Sequence, residues 1–140
     1  TKMFYGNAFE VLSSHVDLFA YLNNLEQGRA FDTFATMTAK QYRELDKASR
    51  FTAFSQNSIF ASLTEEADSQ LRNASHHGSL NLDEASGLIS YRAGKGGTGA
   101  LRTMRYAEYL YRCSRIFLQI LTLLRIELLM HARYRVSPPI

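Results

Sequence analysis

The chain has 140 residues, one cysteine and a formal net charge of +3. This length fits a single domain, residues 1–140, with a sizeable core. The single cysteine, Cys113, excludes an internal disulfide bond, which fits a reducing cytoplasm. Cys113 lies in an apolar helical segment and is predicted to be a small core residue. Residues 1–70 carry a net charge of −3 and residues 71–140 a net charge of +6, and nine of the ten cations in the second half are arginines.

The first part of the chain has the periodicity of packed helices. Apolar residues three and four apart predict an amphipathic helix over residues 8–24; they are Phe9, Leu12, Val16, Phe19, Ala20 and Leu22. A second helical region, one bent helix or two, is predicted over residues 29–60, with Thr38 as an internal start. Its candidate inward residues are Phe31, Phe34, Met37, Tyr42, Leu45, Ala48, Phe51, Phe54 and Ile59.

A further helix is predicted to begin at Ser62, because Glu65 three residues later completes a capping-box pattern. Leu71 and Ala74 lie on its apolar side, and it ends near Gly78. This end of the helix carries the most informative stretch of the chain.

Arg72, Asn73, His76 and His77 lie within six positions, and they are residue types that bind and cleave a phosphodiester. A guanidinium holds phosphate and an imidazole transfers protons near neutral pH. On a helix, Asn73 and His77 share a face, whereas Arg72 and His77 do not. Both can act on one phosphate only if the helix ends near His76 or a second copy supplies the partner. The alternative is a helix C-terminus, where cationic side chains face the negative end of the helix dipole and Gly78 follows the last turn.

Residues 80–91 change character, since apolar residues bracket a polar turn, and they predict a hairpin-like insert. Residues 93–100 contain four glycines and predict a mobile loop. Lys95, within this loop, is predicted to contact a bound RNA strand. Gly94 to Gly99 is similar to the start of a variant phosphate loop. Ala100 and Leu101 stand where the lysine and the Mg²⁺-binding hydroxyl are needed.

A long helix is predicted over residues 101–134, with Leu110, Phe117, Leu121 and Leu124 in its buried stripe. Its apolar residues cover almost the full circumference, so partners are needed on most sides, which favours a dimer. Residues 116–130 carry four polar side chains and are too few to span a bilayer. Pro138 and Pro139 end the domain.

The beginning of this helix mixes arginines with tyrosines, a pattern that suits single-stranded RNA because bases stack on rings while arginines take phosphates. The predicted RNA-binding residues, with Lys95, are Arg102, Arg105, Tyr109 and Arg112. The alternative is a solvated face at a subunit boundary.

The spacing Arg72-x4-His77, with Asn73 directly after the arginine, resembles the motif of the HEPN family of small helical ribonucleases and nucleotide-binding proteins. The resemblance covers about residues 35–130. It implies an all-α, dimeric bundle of four to five helices with a short hairpin-like insert after the motif helix. It also implies metal-independent endonucleolytic cleavage, in which the RNA 2′-hydroxyl attacks the adjacent phosphate. Arg72 would hold the phosphate, His77 would transfer the proton, and Asn73 would orient one of them.

Relatives of this kind often act as toxins or in phage defence, so the resemblance implies RNA as substrate, a homodimer, and an antitoxin or other regulatory protein as a partner. No cofactor and no membrane association are expected. Some family toxins carry a tyrosine two places after the motif histidine, where a partner modifies it. Here Ser79 occupies that place, which argues against such regulation.

Three alternatives stay open from the sequence. In the first, the domain is a non-catalytic HEPN module that binds a nucleotide or a partner protein. In the second, it is a structural dimerisation domain of a longer protein, which is suggested by Thr1 at the beginning of the chain and two prolines near its end. His76 competes with His77 for the catalytic role, although it would shorten the motif spacing by one. No metal site is predicted, because no cysteine or carboxylate lies at ligand spacing from the adjacent histidines.

Overall fold

The computed structural model describes residues 2–134, except for the side chain of Lys95. The prediction for Pro138 and Pro139 lies outside these residues. The fold is mostly helical, as expected, but it also contains a small three-stranded sheet. The helices are α1 (Phe4–His15), α2 (Asp17–Glu26), α3 (Ala39–Glu44), α4 (Ser58–Leu63), α5 (Ser69–His76) and α6 (Tyr106–Tyr134), with short 3₁₀ helices at Ser49–Phe54 and Lys95–Gly97. The strands are β1 (Asn81–Asp83), β2 (Leu88–Arg92) and β3 (Leu101–Arg105).

The chain divides into two compact units. The first combines Thr1–Val11 with Glu66–Gln119, and the second combines Leu12–Glu65 with Ile120–Ile140. The candidate site residues all belong to the first unit.

The sheet of the first unit is antiparallel, in the order β1-β2-β3. The predicted hairpin insert is confirmed as β1 and β2. A third strand, β3, is formed by residues that were predicted to begin the long helix. Ile89 pairs with Leu82 on one side and Met104 on the other, and Ile89, Tyr91 and Met104 are buried. Residues alternate between the two faces of a strand, so one face of the sheet lies on the core.

The motif helix α5 begins later than predicted. Asp68 is its N-cap and accepts hydrogen bonds from the backbone N–H groups of Gln70 and Leu71, at 2.8 and 3.0 Å, whereas Ser62 lies inside α4. A carboxylate at this position satisfies N–H groups that have no partner within the helix. Leu71 and Ala74 are buried as predicted. The helix ends at His76, and Gly78 follows in the left-handed conformation with φ +67°.

Helix α6 begins at Tyr106 rather than at Leu101, and its buried stripe differs from the predicted one. The predicted stripe is exposed at Leu110, Phe117, Leu121 and Leu124, by 38 to 47%. The buried residues are Tyr109, Cys113, Ile116, Ile120 and Leu123. The reason is that α6 is apolar on almost every side, so hydropathy alone does not fix which side packs inward.

In the second unit, aromatic side chains pack against one another. The single helix predicted over residues 8–24 is two helices, because the chain breaks at Val16 between α1 and α2. Phe19 contacts the rings of Phe54 and Phe60, and Tyr42 is fully buried with its hydroxyl donating to Asp17 at 2.9 Å.

Residues 29–60 are less regular than predicted. Thr38 does start a helix, since it forms a complete capping box with Gln41 at the beginning of α3. Phe31 and Ile59 were predicted to point inward, but they are 56 and 62% exposed. Phe31 lies in a turn and Ile59 near the start of α4, so neither belongs to the continuous helix on which the prediction was based.

Between residues 2 and 134, the helices include none with the length and apolar character that crossing a membrane requires.

Candidate functional site

The two histidines of the motif have different surroundings. The ring of His76 packs against Gly6 of α1, so closely that a Cβ on Gly6 would lie 2.1 Å from Cδ2 of His76. The Nε2 atom of His76 is buried and has no hydrogen-bond partner among the described residues. His77 is the C-cap of α5 and is exposed. A ligand in solution therefore meets the imidazole of His77, and His76 is a packing residue.

Arg72 is held by a carboxylate. Its Nε atom donates to Oε1 of Glu10 at 2.7 Å, a second guanidinium nitrogen contacts the same oxygen, and the group lies 5.7 Å from the ring centroid of Phe9. Its Nη1 atom donates to Oδ1 of Asn73 at 2.8 Å. Both partners of the ion pair keep about a quarter to a third of their side-chain exposure. The predicted phosphate-binding arginine is thus partly neutralised within its own unit.

A cleft of about 420 Å³ lies at the C-terminal end of α5. Asn73 and His77 line it together, as expected for residues four apart on one helical face. The rest of its lining comes from Ala74, Ser79, Arg92, Gly94, Gly96 and Gly97. Arg72 is not part of this lining. The cleft therefore joins an imidazole, an amide and a guanidinium, and its arginine is not the one that the motif indicates.

Arg102 and Arg105 lie on β3, where the sequence analysis expected the first turn of a helix. Both are exposed. Arg102 pairs with Tyr91 and Arg105 with Leu88. Tyr91 and Leu88 are an odd number of positions apart, so the two arginines lie on opposite faces of the sheet. They do not form the continuous basic surface that a helix would give them.

Tyr109 and Arg112 do not form the exposed basic and aromatic face that was predicted. Tyr109 is 1% exposed, and its hydroxyl donates to the carbonyl of Lys2 at 3.2 Å, so its ring cannot stack on a base in this structure. Burial raises the pKa of Tyr109 well above its usual range.

Arg112 contacts Oε1 of Glu66 at 2.5 Å and Oδ2 of Asp68 at 3.1 Å. Burial alone would lower the pKa of Arg112, but the hydrogen bond that it donates to Glu66 and the charges of its neighbours outweigh that effect and raise it. Its charge is therefore engaged at the start of α5. The structural reason for both corrections is that α6 begins four residues after Arg102 and turns Tyr109 toward the core.

Two remaining predictions concern Cys113 and the glycine loop. Cys113 is buried, as predicted, and burial raises the pKa of its thiol. The loop connects β2 to β3 and is closed by hydrogen bonds between Ala93 and the backbone of Gly99 and Ala100. The predicted RNA contact of Lys95 concerns a side chain outside the described part. Nowhere in that part do three or more His, Cys, Asp or Glu side chains cluster as metal ligands would.

Sequence reasoning missed Arg92 and Glu10. Arg92 directly precedes the glycine loop in a half of the chain where nine of ten cations are arginines, and only the tertiary structure places it in the same cleft as His77. Glu10 stands 62 positions before Arg72. No local pattern in the sequence connects the two.

Comparison of the chain with protein-family models, with curated proteins and with solved structures gives no match.

Proposed function

We propose that this protein is an endoribonuclease of HEPN type that works as a homodimer. The observation that carries the proposal is the cleft in which Asn73, His77 and Arg92 meet. An imidazole, an amide and a guanidinium on one concave surface match the needs of phosphodiester cleavage, which are proton transfer, orientation and charge stabilisation.

The chemistry that this site suits is an internal attack by the RNA. His77 accepts the proton of the 2′-hydroxyl as its oxygen forms a bond to phosphorus. The bond from phosphorus to the 5′-oxygen breaks, the leaving oxygen takes a proton from water, and His77 returns its proton to the solvent. The products are a 2′,3′-cyclic phosphate and a 5′-hydroxyl. Asn73 is placed to hold a phosphate oxygen or the ring of His77, since both line the same cleft.

The dimer is supported by the apolar surface that α6 leaves uncovered. Phe117 and Leu118 are 47 and 58% exposed in the first unit, and Leu128 and Leu129 are 67 and 58% exposed in the second. Large apolar residues grouped on one helix usually meet a partner, and an isologous pair is the commonest closed assembly.

The test is an RNA cleavage assay with EDTA present. Purified wild type, His77→Ala and His76→Ala are incubated with end-labelled single-stranded RNA, and the product ends are identified. We expect wild type to produce cyclic phosphate ends and His77→Ala to cleave at least about 10²-fold more slowly. His76→Ala should retain the activity of whatever fraction remains folded. No cleavage by wild type, or equal cleavage by His77→Ala, would contradict the proposal.

One observation favours a second function, a non-catalytic module that binds a nucleotide or a partner protein. Glu10 neutralises the motif arginine, which is the residue that the HEPN resemblance assigns to the phosphate. In this case RNA or nucleotide binding would be measurable without turnover, and His77→Ala would leave the affinity unchanged.

A further inference from the structure

Arg92 is the last residue of β2 and lies directly across from Leu101 on β3. Tyr91 before it is buried and Arg92 is exposed, so the alternation along the strand turns Arg92 away from the core. Its Nη1 atom donates to the carbonyl of Gly99 at 3.4 Å, a long hydrogen bond. Within the described residues it contacts no carboxylate, so its charge is available to a ligand.

Arg72 and Arg92 therefore differ in whether their charge is already paired with a carboxylate. Arg72 shares its guanidinium with Glu10 and Asn73 and does not line the cleft. Arg92 lines the cleft and forms no ion pair with a carboxylate among residues 2–134. Of the two arginines, Arg92 is therefore the one that an anion in the cleft can contact.

The cleft has room for a nucleotide. Gly94, Gly96 and Gly97 line one side of it, and their φ angles are +84°, +69° and +70°, a conformation that residues with a Cβ rarely adopt. The loop thus approaches Arg92 without any side chain at these three positions. The volume of about 420 Å³ lies within the range of sites that hold small ligands.

We propose that Arg92 binds a ribonucleotide phosphate in this cleft, which His77 also lines. The proposal rests on the proposed function, and it names Arg92 rather than Arg72 as the phosphate-binding residue of the chain. The ligand chemistry is a phosphate ester of a ribonucleotide, whether it belongs to single-stranded RNA or to a free mononucleotide. A guanidinium suits this ligand because its planar fork donates two parallel hydrogen bonds to phosphate oxygens.

The experiment measures binding separately from cleavage. Affinity is measured by fluorescence anisotropy with a labelled 2′-O-methyl single-stranded RNA, which cannot undergo internal attack. It is measured by calorimetry with a mixture of nucleoside 3′-monophosphates. The variants are Arg92→Gln, Arg92→Lys and Arg72→Gln. Arg43→Gln is the matched control, because Arg43 is also an exposed arginine and does not line the cleft.

We expect Arg92→Gln to weaken binding of at least one probe about tenfold or more, the usual effect of losing a charged hydrogen bond. Arg92→Lys should recover part of the loss, and Arg43→Gln should bind as wild type does. Loss with the oligonucleotide alone identifies RNA as the source of the phosphate, whereas loss with both probes shows that a mononucleotide suffices.

The results separate this proposal from the proposed function. If wild type cleaves RNA but Arg92→Gln binds and cleaves normally while Arg72→Gln does not, the assignment to Arg92 is wrong and the nuclease stands. If wild type does not cleave RNA but Arg92→Gln loses nucleotide binding, the phosphate site stands and the nuclease is wrong. If wild type binds neither probe at millimolar concentration, the phosphate site is wrong.

Discussion

Glu10 on α1 holds the guanidinium of Arg72 on α5, with Nε of Arg72 2.7 Å from Oε1 of Glu10. The two residues are 62 positions apart, and both belong to the first unit. The contact decides how much charge the motif arginine offers to a ligand, so it separates the catalytic and the non-catalytic functions.

Glu10→Gln tests this contact. The substitution removes the competing charge and leaves Arg72 free to contact phosphate, so RNA affinity should rise. The dependence of affinity on salt should become steeper by about 0.7 logarithmic units per tenfold change in salt, as for one added phosphate contact on a single strand. Stability should fall by about 1 kcal/mol or less, because both side chains are partly exposed. Salt titrations of RNA binding measure the effect, and an unchanged slope would indicate that the ion pair has only a structural role.

Gly6→Ala should destabilise the protein by about 1 to 3 kcal/mol, the usual cost of overpacking. A Cβ at this position would lie 2.1 Å from Cδ2 of His76 and 3.1 Å from Oγ of Ser75. Urea denaturation measures the free energy of unfolding. Asn7→Ala is the control, since Asn7 is exposed on the same helix and should change stability by about 0.5 kcal/mol at most. If the added methyl group clashes with His76, the double variant Gly6→Ala, His76→Ala should recover part of the loss.

Arg112→Ala should destabilise the first unit by about 2 kcal/mol, less than the removal of a fully buried partner costs, because the side chain is 20% exposed. The loss leaves Glu66 and Asp68 without their cation at the start of α5. Arg105→Ala serves as the control, since Arg105 is exposed and should be close to neutral for stability. A variant of Arg112 that folds as well as wild type but loses RNA affinity would restore the role predicted from sequence.

Stability should fall above about pH 10 because of Tyr5. Burial raises the pKa of Tyr5 well above its usual value of 10.0, and its hydroxyl bonds to the carbonyl of Glu66 and the N–H of Asp68. Below pH 10 both folded and unfolded chains keep this proton, so the stabilisation is complete. Above it the unfolded chain ionises first, and stability falls by about 1.4 kcal/mol per pH unit for this group. The free energy of unfolding, measured by denaturation from pH 8 to 11, should depend less on pH for Tyr5→Phe than for wild type. The exposed Tyr111→Phe should follow the wild-type profile.

Negative charges introduced by substitution on the exposed side of α6 should prevent dimer formation. Leu121 and Leu128 are 47 and 67% exposed and lie seven residues apart on one face of the helix. Sedimentation velocity at micromolar concentration should show a dimer for wild type and a monomer for Leu121→Glu, Leu128→Glu. Circular dichroism should show the same helix content, because neither side chain belongs to the core. A wild-type monomer would contradict the homodimer.

The sequence by itself determined the local features. Thr38 begins a helix and the motif helix ends before Gly78, because capping and the left-handed conformation depend on a few neighbouring residues. The hairpin around Gly87 followed from turn residues between apolar ones. Cys113 is in the core, as its apolar surroundings indicated. These features depend on contacts within a few residues, so the local amino-acid sequence predicts them.

Only the tertiary structure decided which residues meet across the chain. Leu101 to Arg105 form a strand because β2 offers them backbone partners, although their sequence continues the pattern of the helix that follows. Tyr109 packs inward while Phe117 stays exposed, since a helix that is apolar all round takes its orientation from its neighbours. Arg72 lies beside Glu10, and Arg92 lines the same cleft as His77, through packing between distant segments. The spacing of a motif fixes the residue types at a site, but long-range contacts decide the charge that each of them presents there.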